Sequence, residues 1–306
     1  MEVQPIIDAL NVHLPAVMRW GGAVARRMRS FNIALDSKHS GSSNTDALTL
    51  ADLTVQELLV SALRDCDPIF RRCRIEAEES TGDLAWFAKG GKFTLALDPI
   101  DGTKQYRDKT GNGYAVILTL RSVETVHYSL VYAPESGPCG GWMRACAGKV
   151  VCGSDDPARP AAAALDNLPP ISLVGRSQSP KIYMIGFLNH GEDRARAVTA
   201  AGLEGVPADD CPGCLYELLA TGEYGGSLIH SPNVYDFPAG LQIAREFGGD
   251  SIWVHNGQSV NFEELWLDER ASMLRLPGII ATSPSRQILS TLASVARDWN
   301  PVRYAD

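Results

Sequence analysis

The stretch Phe93-Thr94-Leu95-Ala96-Leu97-Asp98-Pro99-Ile100-Asp101-Gly102-Thr103 decides how this chain is read. Its first five residues form an apolar run of strand type, and the run empties into a tight turn that carries two carboxylates three residues apart. Pro99 stiffens the path between Asp98 and Asp101, so both side chains are expected on one side of the turn. Two like charges held that close need a cation. Oxygen-only ligands suit hard, hydrated Mg2+ rather than zinc, and the carbonyl of Ile100 can complete such a shell. Gly102 and Thr103 then offer backbone N–H groups to a phosphate oxygen if a helix starts there. A plain Asp-rich turn would account for Asp-x-x-Asp-Gly alone, but the whole hexapeptide is too specific a string for that to suffice.

Upstream lies the acidic cluster Glu76-Ala77-Glu78-Glu79-Ser80. Taken alone it reads as a solvated charged edge. It follows a short strand candidate at Arg74-Ile75, however, and neighbouring strands would bring Glu78 to the metal side of Asp98 and Asp101. Further back, Ile7, Leu10, Leu14, Val17, Met18, Ala25 and Met28 share one helical face over residues 5–28, with Gly21 and Gly22 suited to close packing rather than lipid contact. Residues 31–51 read as a polar loop containing Lys38, Asp46 and Thr49, and Asp52 heads a second helix that stops before Pro68.

Downstream, strands are expected at Tyr114–Leu120, Thr125–Tyr132 and Trp142–Val151, an antiparallel sheet with flanking helices. Segment 153–170 holds four prolines and shows no strand or helix signature, so it is the expected boundary between an N-terminal α+β half, 1–160, and a C-terminal α/β half, 171–306. The second half offers strands at Ile171–Val174, Ser227–Ile229 and Ser251–His255, and helices at Leu215–Thr221 and Phe237–Phe247. Asp236 stands at the head of the last of these, as a cap, as a remote fourth carboxylate, or as both.

Composition narrows the function. At 306 residues, 45% hydrophobic and 21% charged, the chain is ordinary globular protein with room for two domains. Its 28 basic and 36 acidic residues give a net charge of −8, which argues against a binder of polymeric nucleic acid. Seven cysteines are an odd number in a chain too large to depend on disulfides, so a reducing, cytoplasmic setting is expected. The charge order of the first thirty residues is not that of a secretory signal, and no apolar run is long enough to span a bilayer. Cys211-Pro212-Gly213-Cys214 reads either as a redox pair or as two buried small side chains, and no second pair supports zinc.

These motifs together resemble the inositol monophosphatase superfamily of Mg2+-dependent, lithium-sensitive phosphatases. The resemblance rests on Glu78-Glu79-Ser80, on Asp98 to Thr103 without a mismatch, on Tyr235-Asp236-Phe237-Pro238-Ala239-Gly240 with Tyr in place of the usual Trp, and on Asp46, Thr49 and Asp52 upstream. It implies a mixed α and β fold, the layered αβαβα sandwich of the inositol monophosphatase and sugar phosphatase type. It implies two or three Mg2+ ions: one held by Glu78, Asp98 and the Ile100 carbonyl, a second by Asp98, Asp101 and Asp236. Thr103 and Asp52 would orient and deprotonate the attacking water. The expected activity is a phosphomonoesterase acting on a small phosphate ester, and homodimers are common among proteins of this resemblance.

Substrate markers are mixed. Lys104 and Val131-Tyr132-Ala133-Pro134-Glu135 resemble the 3′(2′),5′-bisphosphate nucleotidase branch. Gly175-Arg176-Ser177-Gln178 stands where that branch has Ser-Arg-Ser-His, and Leu215 stands where it has Lys. The inositol-1-phosphate branch has Glu where this chain has Ile229. Lys104, Arg176 and Ser177 are the expected substrate-binding residues, with Arg107 a further cation near a second anionic group. A non-catalytic binding protein on the same fold is the rival reading.

Overall fold

The computed structural model describes residues 2–31, 33–35, 46–174, 176 and 178–304. Lys38 and Ser177 lie outside them. In chain order the elements are α1 (Gln4–Arg29), α2 (Leu50–Asp65), β1 (Arg74–Ala77), β2 (Thr94–Asp101), α3 (Thr103–Asp108), β3 (Ala115–Arg121), β4 (Val126–Ala133), β5 (Gly141–Cys146), β6 (Lys149–Ser154) and α4 (Ala161–Asp166). There follow β7 (Lys181–Ile185), α5 (Gly191–Ala200), β8 (Glu204–Pro207), α6 (Leu215–Thr221), β9 (Gly226–His230), α7 (Phe237–Glu246), β10 (Asp250–Trp253), β11 (Trp266–Asp268), β12 (Met273–Arg275), β13 (Ile279–Ser283) and α8 (Arg286–Ala296).

Strands β1 to β6 form one sheet in sequence order, and the second runs β10-β13-β9-β7-β8. The first sheet is antiparallel except at β1, which pairs parallel with β2. Strand β3 is buried along its whole length, and its alternation explains the layers. Val116, Leu118 and Leu120 pack with α1 and α2 on one face, whereas Ala115 and Ile117 pack with α6 and α7 on the other. The second sheet presses Ile182, Leu228 and Ala281 against α5 and α8, and its other face, through Ile280 and Trp253, meets Phe237 and Leu241 of α7. The order is helices, sheet, helices, sheet, helices: the αβαβα sandwich. Among the described residues no helix is long and apolar enough to cross a membrane.

Gly22 shows why α1 carries small residues. A Cβ there would come within 2.6 Å of the Tyr132 ring, so the helix can lie against β4 only with glycine at that position.

Three expectations are corrected. The run Trp142–Val151 is two strands, β5 and β6, turned by Ala147 and Gly148 at positive φ, a two-residue hairpin hidden by apolar residues on both sides. Segment 153–170 is not featureless: β6 extends to Ser154, and α4 buries Ala161, Ala164 and Leu165 against the α1 side of the sheet. Residues Ile171–Val174 form no strand. Ile171 N–H donates to the Val150 carbonyl, while Leu173 and Val174 are exposed.

Candidate active site

Strand β2 delivers the two central carboxylates through a bulge. Asp98 faces Ile117 and Asp101 faces Ala115, so three steps along β2 match two along β3. Pro99 is tolerated because β1 ends opposite Leu97, leaving no ladder bond on that side for a proline to break. The Ile100 N–H donates to Asp98 Oδ1 at 3.0 Å, which locks the turn. Gly102 takes φ +84, a conformation that favours glycine, and α3 begins directly after it.

Around this turn the fold gathers the remaining acids. The Glu78 N–H donates to the Leu97 carbonyl at 3.2 Å, continuing the β1–β2 register, and Glu78 reaches the Asp98 carboxyl by a side-chain hydrogen bond. Asp101 and Asp236 make a second carboxyl–carboxyl hydrogen bond. Ligand oxygens of Asp98, Asp101 and Asp236 all lie within 4.8 Å of one another. Asp236 stands at the first position before α7, yet its side chain does not cap the helix; Asn233 Oδ1 accepts the N–H groups of Tyr235 and Asp236 at 2.8 and 3.1 Å and sets the turn.

The electrostatics identify what the cluster lacks. Burial and then Glu78, Asp101 and Asp236 push Asp98 well above the ordinary carboxylate range, and burial followed by Asp236 and Glu78 does the same to Asp101. Burial raises Asp236 to about 6, against the pull of the Phe237 amide and the Arg275 cation. Each carboxyl–carboxyl bond needs a proton, or a cation in its place. The donor set is all oxygen, so the residues fit Mg2+. Glu78, Asp98, Asp101, Asp236 and the Ile100 carbonyl could hold it.

Beside the acids, Thr103 Oγ1 lies 2.7 Å from the Ile100 carbonyl oxygen and 3.1 Å from Asp52 Oδ1. Asp52 sits in the first turn of α2, where Oδ2 accepts from Thr49 N–H at 2.8 Å and from Thr49 Oγ1 at 2.6 Å, a capping box that fixes the carboxylate. Burial, with Glu78 and Glu79 as smaller causes, raises Asp52 to about 7.

The acidic run 76–79 divides three ways. Glu76 pairs with the buried Arg121, Glu78 faces the cleft, and the backbone of Glu79 is clasped by Gln56.

Other expected site residues fare differently. Lys104 lines the cleft and pairs with Asp209 at 2.6 Å. Gly102 and Thr103 line the cleft where α3 begins. Arg176 is turned away: it donates to the Leu219 and Ala220 carbonyls at the end of α6 and lies over the Phe247 ring. Arg107 pairs with its neighbour Asp108 outside the cleft. Cys211 and Cys214 are free thiols raised by burial, the opposite of the lowered pKa a reactive cysteine needs.

Sequence reasoning missed Arg275, Arg303, His230 and Tyr183, all of which line the cleft. None belongs to a motif. Arg275 Nη1 donates to the Ser231 carbonyl at 3.0 Å and Nε to Asp268 at 2.8 Å, bracing the loop that carries Asp236. Leu215 and Ile229 also line the cleft, so both positions that distinguish the two substrate branches present apolar side chains to it.

A model of the inositol monophosphatase family matches residues 9–297. The extragenic suppressor protein suhB from Bartonella henselae is similar in structure at TM-score 0.64 and 17% identity, over 96% of this chain and 100% of that one. An inositol monophosphatase from Anabaena (Nostoc) sp. PCC 7120 is similar at 0.62 and 16%, over 98% of each chain. CysQ from Bacteroides thetaiotaomicron is similar at 0.63 and 16%, over 91% of this chain and 98% of that one. At such identity these likenesses speak for the fold. A search of curated proteins gave no match.

Proposed function

The chain belongs to the inositol monophosphatase family, whose members are metal-dependent phosphoric monoester hydrolases of small phosphate esters, and from that premise we propose a Mg2+-dependent, lithium-sensitive phosphomonoesterase of the bisphosphate nucleotidase type. One observation carries the reading: Asp98, Asp101 and Asp236 converge within 4.8 Å, with carboxyl–carboxyl bonds to Glu78 and to each other that only protons or a cation can relieve.

Two ions are assigned to this cluster, one to Glu78, Asp98 and the Ile100 carbonyl and one to Asp98, Asp101 and Asp236. Held there, Mg2+ would supply Lewis-acid chemistry, lowering the pKa of the attacking water and offsetting charge on the phosphoryl and leaving oxygens. The protein's own part is positional and protic. Thr103 Oγ1, within hydrogen-bond distance of Asp52, holds the water and passes its proton toward the Asp52 carboxylate. Asp52 is poised near neutral pH for that task by burial. The N–H groups of Gly102 and Thr103, where α3 begins, are assigned to a phosphate oxygen. Lys104, on the rim, is assigned to the substrate.

A non-catalytic role is disfavoured because Glu78, Asp98, Asp101, Asp236 and the Thr103–Asp52 bond are all retained. An inositol-1-phosphate phosphatase is the second reading, weakened by Ile229 in the cleft wall. The test is inorganic phosphate release with Mg2+, with and without lithium, from inositol 1-phosphate, 3′-phosphoadenosine 5′-phosphate and fructose 1,6-bisphosphate. Lithium-sensitive release from the adenosine bisphosphate is expected. Release from none of them by folded, Mg2+-binding protein would overturn the reading.

A further inference from the structure

Beyond the carboxylates the cleft is walled by the second sheet. Strand β7 alternates: Ile182 and Met184 point into the core under α5 and α8, so Tyr183 and Ile185 take the other face and line the cleft. Parallel pairing sets Ile185 opposite Ile229 of β9, and Leu215, the first residue of α6, joins them. Ile185, Leu215 and Ile229 are each only half-buried, an apolar surface left open inside a concavity.

The polar side chains around this wall are already committed. Lys104 and Gln105 both bond Asp209, at 2.6 and 3.4 Å. Asn233 Oδ1 holds the turn before α7, Ser231 Oγ lies 3.1 Å from His230 Nδ1, and Arg275 is spread over Asp268, the Ser231 carbonyl and Met273 Sδ. A ring of hydroxyls placed here would give up water and find few open partners among the described residues, and each hydroxyl left unpaired costs roughly tenfold in affinity. A hydrocarbon face would lose nothing and would bury apolar area.

The wall also stands where the departing alcohol must go. The charges that act on Asp52, the residue assigned to the attacking water, are Glu78 and Glu79, whereas those that act on the Tyr183 phenol include Asp101 and Asp236. Asp52 and the wall therefore flank the acidic cluster from different sides. In an in-line displacement the leaving oxygen lies across the phosphorus from the attacking one, which turns the alcohol toward the wall.

Resting on the phosphatase reading above, we propose that this site selects phosphate monoesters whose alcohol presents an apolar ring face, seated against Ile185, Leu215, Ile229 and the Tyr183 ring, and that it discriminates against polyols. A hydrocarbon ring and a nucleobase both offer such a face.

The kinetic test uses a matched pair. Cyclohexyl phosphate is inositol 1-phosphate stripped of its free hydroxyls, and adenosine 3′-monophosphate is the nucleoside arm; kcat/KM is measured for all three with Mg2+. The electron-withdrawing hydroxyls make inositol the better leaving group, so intrinsic reactivity works against the expected order. At least one of the two ring-faced esters should exceed inositol 1-phosphate about tenfold or more, chiefly through KM, and the preferred one names the source of the ring. Ile229→Thr and Leu215→Asn should each narrow that ratio several-fold by raising the KM of the ring-faced ester. Leu215 opens a helix and Ile229 sits within a sheet, so either variant keeps the test decisive should the other not fold. Inositol 1-phosphate turned over as well as both others, or a ratio that neither variant moves, overturns the proposal and leaves the phosphatase standing.

The second test needs no turnover. Benzylphosphonate, whose P–C bond resists hydrolysis, and methylphosphonate are titrated by calorimetry into the Mg2+-loaded protein. The benzyl compound should bind about tenfold or more tighter, with the difference reduced in Leu215→Asn. Equal binding overturns the proposal. Tighter binding of the benzyl compound without phosphate release from any ester keeps the apolar wall and sinks the phosphatase reading instead.

Discussion

The Thr103 hydroxyl sits 3.1 Å from Oδ1 of Asp52, a residue 51 positions earlier in the chain. Two local motifs, the turn after β2 and the capping box of α2, are joined by this bond, which the proposed mechanism uses as its proton path. Thr103→Ala should lower kcat about a hundredfold or more while leaving Mg2+ affinity within a few fold, whereas Thr103→Ser should keep most of the activity. Parallel Mg2+ titration and steady-state kinetics separate the two. A loss of Mg2+ affinity equal to the loss of kcat would place Thr103 among the ligands instead.

Asp101→Asn removes one of the crowded carboxylates. Phosphate release should fall by a factor on the order of a hundred to a thousand, the size of losing a group that stabilises the transition state. In EDTA the same variant should melt higher than wild type, because a repelled and desolvated charge is gone. Thermal melts with and without Mg2+ check the pair of signs. A variant that melts lower in both conditions would mean that Asp101 supports the fold and not a cation.

The stability of the metal-free protein should fall as pH rises. Asp52 moves from an ordinary value of 3.8 to about 7 on folding, and Asp236 from 3.8 to about 6. The folded state thus binds more protons than the unfolded one between roughly pH 4 and 7, so the stabilisation is complete below that window and lost above it. In EDTA the melting temperature should drop between pH 5 and pH 8. Saturating Mg2+ should cancel or reverse the slope, since a cation takes the place of the protons.

Arg121 lies buried beside Glu76 and 4.2 Å from the centre of the Phe262 ring. Glu76→Ala would leave that guanidinium uncompensated and should cost about 3–5 kcal/mol by urea denaturation. Glu78→Ala, two residues on, should cost far less stability and most of the activity. Similar losses of stability from both would contradict the division of the acidic run.

Arg176→Ala should leave KM unchanged for every ester tested. Its guanidinium holds the last carbonyls of α6, so the expected effect is a loss of about 1–3 kcal/mol of stability. A rise in KM without loss of stability would return Arg176 to the cleft.

Local sequence determined a good deal of this protein. The apolar run into Asp98, the apolar runs of β3 and β4 bounded by turn residues, Thr49 and Asp52 at the start of α2, and Gly102 before α3 each follow from strand propensity, capping or backbone freedom within a few residues. The acidic residues of the cluster were legible because they sit in such local motifs, whereas the layered sandwich followed from the family resemblance those motifs carry. The hairpin at Ala147-Gly148 and the short helix at 161–166 were not, because one looks like a continuous apolar run and the other is held by packing on α1 rather than by a signal of its own. Arg303 and Arg275 belong to no motif; only the folding of the segment after α8 against the loop after β7 brings Arg303 to the cleft. The same sequence places Arg176 and Arg303 on equal terms as isolated cations. Tertiary structure separates them, giving one the carbonyls of a helix end and leaving the other a buried N–H with nothing to hold, because the partners of a long side chain are set by what packs beside it and not by its neighbours in sequence.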